Sequence, residues 1–386
     1  MKNALYKTFN ASNLVEIAVN CGGSKLNGTA MKLHRLSTDA AAEERGRALG
    51  ETYGHYVRAT SARYLRHFEA LGIQSEQVRD IVESSRSALD DWAPNLAVES
   101  DAIAKAAGIA GWRVSAVGAR TEVLAVTRNP GEGECSTAVL IPARGAPETI
   151  QTWDWHSELA TDGLLLQLTT AAGRRVKLFT EFGTAAKIGV NDAGLGLHFN
   201  ILSHQSDGGA GGVPVHAIAR SILERATTID EARHIATTAT VTASTVLTVV
   251  TYSEGVADAA SIEISPAGVS VVAPGADGWL LHTNHFLAPD LIGGDRYDPA
   301  STTLERFDHV DRVRADMAGL DPVARAAAFC GPDGLGAAVC VRPDPTKPVH
   351  EQWGTLLTVA LDVPGFALDY REGSPEMAAA QGLKHF

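Results

Sequence analysis

Residues 131–158 read GEGECSTAVLIPARGAPETIQTWDWHSE, which are two β-type runs joined by a segment rich in Pro and Gly. This pattern predicts a pair of strands with a turn between them. Cys135 stands at the start of the first strand, and Asp154 follows later between two tryptophans. The stretch therefore raises the question of why a strand begins with a residue type as reactive as cysteine.

Composition excludes several classes of protein. The 386-residue chain is 45% apolar and 20% charged, which is enough apolar material for a large core. Its formal charge is −12 and it has no Lys/Arg-rich run, so we expect neither nucleic acid nor a membrane surface as a partner. The four cysteines lack CxxC spacing. No apolar run reaches about 18 residues, and Asn13 and Glu16 interrupt any secretory apolar segment, so we expect a cytoplasmic protein.

The periodicity of apolar residues changes along the chain. Residues 38–108 show a helical pattern, with apolar positions three and four apart. Short β-type runs then dominate, including predicted strands at 117–128 and 335–342, and helices interrupt them in pairs. Thr302 and Glu305 are spaced as a helix capping box. Strand meanders with inserted helices predict an α+β fold in which helices cover antiparallel sheets.

A cysteine acts as a nucleophile only when a base takes its proton, because an unperturbed thiol with a pKa near 8.5 is mostly protonated at neutral pH. The surroundings of Cys135 do not match the CGSCW-like context of papain-type proteases. Cutting the chain directly before Cys135 would supply a base in another way. The new α-amino group, with a pKa near 7.7–8.0 when free, would lie within reach of its own sulfur.

Five motifs occur in an order that resembles the acyl-coenzyme A:6-aminopenicillanic acid acyltransferase family of autoproteolytic N-terminal-nucleophile hydrolases. They are ECSTAVLIPARG followed by IQTWDWH as the first motif, then KIGVNDAGLGLHFNILS, GGVPVHAIARSILE, LLHTNHF and WGTLLTVALD. The resemblance covers roughly residues 33–370. It implies a four-layer αββα sandwich, self-cleavage between Glu134 and Cys135, and amidase or acyl-transfer chemistry through a thioester on Cys135.

The resemblance also implies roles for individual side chains. Cys135 corresponds to the nucleophile, and Asp154 to a carboxylate that orients the α-ammonium group. Asn284 corresponds to an oxyanion-hole donor, and Asn200 to a second asparagine beside that hole. The predicted supporting or substrate-binding residues are Arg120, Thr137, Trp155, Arg342 and Trp353.

Two positions depart from the family pattern. Glu134 stands where glycine commonly precedes the nucleophile. Trp353 replaces an arginine that some members carry before the last GTLL-type strand, which leaves Arg342 as the nearby cation and favours an aromatic or apolar group in the substrate.

The resemblance divides the chain at the cleavage site. We expect residues 1–30 to be a leader outside the fold, with Met31 as an alternative start. Residues 31–134 would form a mostly helical N-terminal chain and 135–386 the catalytic chain. The two cleaved chains would stay together in one globular body, as a heterodimer or a higher oligomer.

Three classes of function compete. The first is a hydrolase of a small N-acyl amide, the second an acyl-coenzyme A-dependent acyltransferase, and the third a binding protein that retains the fold without activity. The lack of a basic cluster for a nucleotide diphosphate favours the first. A zinc site built on His282 and His285 lacks a metalloprotease spacing, so we expect no metal and no cofactor.

Overall fold

The computed structural model describes residues 31–127, 134–298 and 301–386. The helices of this part are α1 Ala42–Ala70, α2 Ser75–Trp92, α3 Pro94–Ala107, α4 Gly111–Gly118, α5 Arg120–Leu124, α6 Val215–Arg225, α7 Ile229–Thr237, α8 Thr303–Met317, α9 Pro322–Cys330 and α10 Pro375–Gln381. The strands are β1 Lys32–Thr38, β2 Glu134–Leu140, β3 Glu148–Trp155, β4 Asp162–Thr169, β5 Arg175–Glu181, β6 Ile188–Asn191, β7 Leu195–Ile201, β8 Thr245–Ser253, β9 Val256–Ser265, β10 Gly268–Val272, β11 Trp279–His282, β12 Gly354–Asp362, β13 Ala367–Glu372 and β14 Lys384–His385.

These strands form two sheets. Sheet I has eight strands in the order β1-β4-β5-β6-β7-β8-β9-β10, and sheet II has six in the order β11-β2-β3-β12-β13-β14. The pair β1 and β4 is parallel, whereas the other named pairs are antiparallel. Antiparallel neighbours need only short connections, which explains the many turn-rich segments of the sequence.

Side chains that alternate along each strand divide the core into three layers of apolar packing. On β4, Leu164 and Leu166 pack under helices α1, α3, α6 and α7, whereas Leu165 points into the space between the sheets. On β2, Val139 lies between the sheets and Leu140 packs towards α8 and α9. The order of layers is therefore helices, sheet I, sheet II, helices. This confirms the predicted α+β four-layer sandwich.

Two strand predictions are wrong. Residues 117–127 form the end of α4, the whole of α5 and a turn, because Val117, Val123 and Leu124 reach the inter-sheet core at helical spacing. Residue 128 of this predicted strand lies outside the described residues. In 335–342, neighbouring Val339 and Cys340 are both buried in one core, so the two faces do not alternate as they would in a strand. Among the described helices none is both long and apolar enough to cross a bilayer.

Candidate active site

Cys135 lies on β2, which is flanked by β3 and β11 within sheet II. Antiparallel pairing sets Cys135 opposite Trp153 and Glu134 opposite Asp154. The Cys135 side chain belongs to the core between the sheets and is 3% exposed. In the uncleaved chain the thiol is therefore shielded from bulk water.

This burial makes the thiol a weak acid. Desolvation and the nearby Asp154 carboxylate together raise the pKa of Cys135 to about 11, although Lys187 and Arg306 oppose the shift. A thiol with such a pKa is protonated at neutral pH. Cys135 therefore needs a proton acceptor before it can attack a carbonyl group.

Asp154 is a buried carboxyl group beside the peptide bond that joins Glu134 to Cys135. Burial raises its pKa to about 8, while Arg306 and the Thr355 hydroxyl favour the charged form. Within the described residues neither carboxyl oxygen has a hydrogen bond of ordinary geometry. A carboxyl group with a pKa near neutrality can both accept and return a proton.

Asn284, between β11 and α8, accepts a hydrogen bond from the main-chain nitrogen of Cys135. Its Oδ1 accepts the Cys135 N–H at 2.8 Å and a second hydrogen bond from Arg306 Nη2 at 2.9 Å. Its Nδ2 donates to the Ile201 carbonyl at 2.8 Å. These partners fix the orientation of the amide. The predicted oxyanion role stays a prediction. It requires the Asn284 NH₂ group to give up its hydrogen bond to the Ile201 carbonyl.

Asn200, on β7 of sheet I, connects the two sheets at Cys135. Its Nδ2 donates to the Cys135 carbonyl at 3.1 Å. Its Oδ1 accepts hydrogen bonds from Thr137 Oγ1 at 2.8 Å and from Gln151 Nε2 at 2.9 Å. The predicted residues Asn200 and Thr137 are thus brought together, and Gln151 is a partner that the sequence interpretation missed.

Arg306 is a second residue that the sequence interpretation missed. It is fully buried on α8, and its Nη1 donates to the Cys135 carbonyl at 2.6 Å and to Ser136 Oγ at 3.1 Å. Its position in the sequence held a signal, because Arg306 shares the buried stripe of α8 with Val310 and Val313. A charged residue on the apolar face of a helix indicates a buried polar site.

The side chain of Glu134 lies on the side of sheet II that faces α8, as Arg306 does. Its Oε1 accepts hydrogen bonds from Ser301 Oγ at 3.0 Å and Thr302 N at 2.8 Å, and its Oε2 accepts one from Thr302 Oγ1 at 2.6 Å. Thr302 precedes α8, but its side chain makes no capping bond with the helix. The predicted capping box with Glu305 is therefore wrong, because the Thr302 hydroxyl binds Glu134 instead.

Lys187 approaches the thiol from sheet I and was also missed. It is 1% exposed, and its Nζ lies 4.4 Å from the centre of the Trp153 ring and 4.0 Å from Glu181 Oε2. Burial and the neighbouring Arg120 together lower its pKa to about 7. A lysine in this setting gains or loses its charge near neutral pH.

Arg120 and Trp155 lie in a buried network behind the thiol. Arg120 donates to Glu181 Oε2 at 2.7 Å and to the Tyr64 hydroxyl at 2.9 Å. The Tyr64 hydroxyl also accepts a hydrogen bond from Trp155 Nε1 at 2.8 Å. Both predicted residues are completely buried, so they fit a supporting role rather than contact with a substrate.

A cavity of about 290 Å³ begins at Glu134 and reaches the two remaining predicted residues, Arg342 and Trp353. Trp353 is half-buried, whereas Arg342 is exposed and donates to the Leu335 carbonyl at 3.2 Å. Cys340 also lines this space. Through Glu134 the cavity reaches the residue that directly precedes Cys135.

Comparison by sequence finds similarity to one family of known proteins. Residues 145–321 match the family described as acyl-coenzyme A:6-aminopenicillanic acid acyl-transferase. This match spans a little less than half of the chain, so the chain is similar to this acyltransferase family over that segment. The 40 kDa form of acyl-coenzyme A:6-aminopenicillanic-acid-acyltransferase from Emericella nidulans is 25% identical over 245 residues, which are 62% of this chain and 65% of that relative.

Three solved structures are similar at lower identity. The Caenorhabditis elegans N-acylethanolamine-hydrolyzing acid amidase ortholog is 13% identical, with a TM-score of 0.41 over 60% of this chain and 93% of the other. Penicillin V acylase from Agrobacterium tumefaciens is 13% identical, with a TM-score of 0.39 over 65% and 98%. A mutant conjugated bile acid hydrolase from Clostridium perfringens is 12% identical, with a TM-score of 0.38 over 61% and 89%. The fold assignment therefore rests on the layers of this chain's own structure.

The described residues contain no set of ligands for the zinc site that was considered as an alternative. No three His, Cys, Asp or Glu side chains converge there as metal ligands would. His282 Nε2 instead contacts Glu263 Oε1 at 2.9 Å, and His285 Nδ1 lies 3.0 Å from Thr303 Oγ1. The two histidines are thus engaged with separate partners.

Proposed function

We propose that this chain is a cysteine N-terminal-nucleophile amidohydrolase that cuts itself between Glu134 and Cys135 and then hydrolyses a linear amide of a small N-acyl compound. The observation that carries this proposal is the clamp on the main chain of Cys135. Asn284 holds its N–H, and Arg306 and Asn200 hold its carbonyl group. A fixed main chain keeps the nucleophile oriented while an adjacent bond is formed and broken.

Self-cleavage begins with transfer of the Cys135 thiol proton to the Asp154 carboxylate. The sulfur then attacks the carbonyl carbon of Glu134, and an S–C bond forms. As the C–N bond breaks, the Cys135 nitrogen takes the proton back from Asp154. Water hydrolyses the resulting thioester, which releases the Glu134 carboxylate and restores the thiol. A pKa of about 8 suits Asp154 to both proton transfers.

Turnover repeats the same chemistry on a substrate amide. The free α-amino group of Cys135 accepts the thiol proton, the sulfur attacks the substrate carbonyl, and the leaving amine departs with the proton. Water then hydrolyses the thioester. Asn284 Oδ1 already accepts a hydrogen bond from this nitrogen, so it is placed to orient the amine after cleavage.

The two cleaved fragments would remain associated. Strand β1 of the N-terminal part pairs with β4 along its full length, from Lys32 opposite Asp162 to Thr38 opposite Leu168. Buried residues of α1 and α3 also share a core with sheet I. Separation of the fragments would expose this apolar surface to water.

Acyl transfer is the second candidate, and the names of the matching family and of the relative favour it. In that reaction an amine rather than water resolves the thioester. The two activities therefore share Cys135 and differ in the acceptor.

The test is an assay of the purified, cleaved protein on a panel of N-acyl aminocoumarin amides. We expect release of the fluorescent amine without any coenzyme A, and none from Cys135→Ala. Product formed only when an acyl-coenzyme A and 6-aminopenicillanic acid are both supplied would support the transferase instead. No turnover in either assay would contradict both activities.

A further inference from the structure

The side chain of Glu134 occupies a preformed carboxylate site. Three hydrogen bonds from Ser301 and Thr302 reach its two oxygens, at 2.6–3.0 Å. Arg306 Nε lies 3.6 Å from Oε2, and both side chains of this ion pair are nearly inaccessible to solvent. A buried carboxylate is tolerated only when donors and a positive charge compensate for lost hydration, and this site supplies both.

The chemistry connects this site with the substrate. During self-cleavage the acyl group on sulfur is that of Glu134, whereas in turnover it is the acyl group of the substrate. Both thioesters join the same sulfur to a carbonyl carbon, so their acyl chains begin at the same place. The cavity of about 290 Å³ that Glu134 lines would then become continuous with Cys135.

Departure of Glu134 also leaves Arg306 without its nearest anion. The other hydrogen-bond partners of its guanidinium group are neutral: the Cys135 carbonyl, Ser136, Asn284 and Thr302. Asp154 is close enough to interact with this charge, but its raised pKa of about 8 weakens its negative charge at pH 7. A buried cation without a full counter-charge favours the entry of another anion.

We propose that the acyl group of the substrate carries a carboxylate that replaces the side chain of Glu134 on Ser301, Thr302 and Arg306. This inference rests on the proposed function. Because three carbon atoms separate the main-chain carbonyl of a glutamate from its side-chain carboxylate, the matching acyl group is the five-carbon glutaryl group. The substrate class is therefore a monoamide of a short dicarboxylic acid.

The test compares glutaryl and pentanoyl amides of the same aminocoumarin, which have equal chain length and differ in the terminal carboxylate. We expect kcat/KM of the cleaved enzyme to be roughly 100-fold or more higher for the glutaryl amide, since an uncharged chain leaves buried donors unpaired. Thr302→Val removes one donor and should lower this preference roughly tenfold. Thr302→Ser keeps the hydroxyl and should retain the preference.

Equal rates for the two amides would overturn the inference and leave the proposed hydrolase intact. A preference unchanged in Thr302→Val would overturn the assigned site. If the cleaved enzyme hydrolyses neither amide, calorimetric titration with glutarate and with pentanoate decides the inference separately. Tighter binding of glutarate supports the inference, and equal binding contradicts it.

Discussion

Two buried charged clusters approach Cys135 from opposite sides of sheet II. On the α8 side, Arg306 contacts the Cys135 carbonyl, Asn284 and Glu134. On the sheet I side, Arg120 pairs with Glu181 at 2.7 Å and is equally buried, but its hydrogen-bond partners are side chains of the supporting network. Burial and ion pairing therefore do not distinguish the two arginines. The difference is that Arg306 contacts the peptide group of Cys135.

The comparison predicts a large loss of stability for Arg120→Met. Removal of one partner from a fully buried ion pair costs about 3–5 kcal/mol, because Glu181 keeps only the more distant Lys187, at 4.0 Å, as a counter-charge. We expect the midpoint of chemical denaturation to fall strongly, while the folded fraction keeps its capacity to cleave. Arg47→Met, at an exposed helix position, is the control and should leave the midpoint unchanged. If Arg120→Met has the wild-type midpoint of denaturation, the cluster of Arg120 and Glu181 does not stabilise the fold as described.

The next largest effect is expected at Asn284. Asn284→Ala should lower kcat by roughly 10²–10³, about 3–4 kcal/mol, the range for loss of one positioned polar group at the reacting atoms. Asn284→Asp keeps the oxygen that accepts from Cys135 N and loses the NH₂ group. If orientation of the amine is the main role, the Asp variant should exceed the Ala variant in turnover. Equal loss in both variants would instead favour the predicted oxyanion role.

How much the sequence could predict differs between the two clusters. The strand pair around Cys135 and Asp154 followed from alternation and turn residues, and the layer order followed from the family resemblance. Arg306 and Lys187 were missed because charged residues are normally exposed, and only the tertiary packing of α8 and sheet I buries them. Residues 117–128 were assigned to a strand because their valines favour β-structure, whereas burial at helical spacing decided the outcome.

A smaller effect is expected in the pH dependence of self-cleavage. The pKa of Asp154 is raised to about 8, so the group is mainly protonated at pH 6 and becomes a proton acceptor as the pH rises through 8. The cleavage rate of chain refolded at pH 5 and transferred to higher pH should rise about tenfold per unit and level off above about pH 8.

Asp154→Asn provides the matched control for this profile. The variant should cleave slowly, and its rate should not rise with pH up to about pH 8. In the wild-type chain the raised folded-state pKa of Asp154 makes the free energy of unfolding fall as the pH rises from the unfolded pKa of the group to about 8. This decline should be absent in Asp154→Asn. A wild-type cleavage rate that does not change with pH would show that Asp154 is not the proton acceptor. The same conclusion follows if the rise of the rate with pH persists in Asp154→Asn.

Mass spectrometry of the intact purified protein, with sequencing of the new N-terminus, tests the central claim most directly. We predict a fragment of residues 135–386 that begins with Cys135, held together with the preceding part of the chain under native conditions. Cys135→Ala should yield only the uncut chain, whereas Cys330→Ala, changed at a thiol buried in the core beneath sheet II, should be cut as usual. An active preparation that contains only the uncut chain would contradict the account.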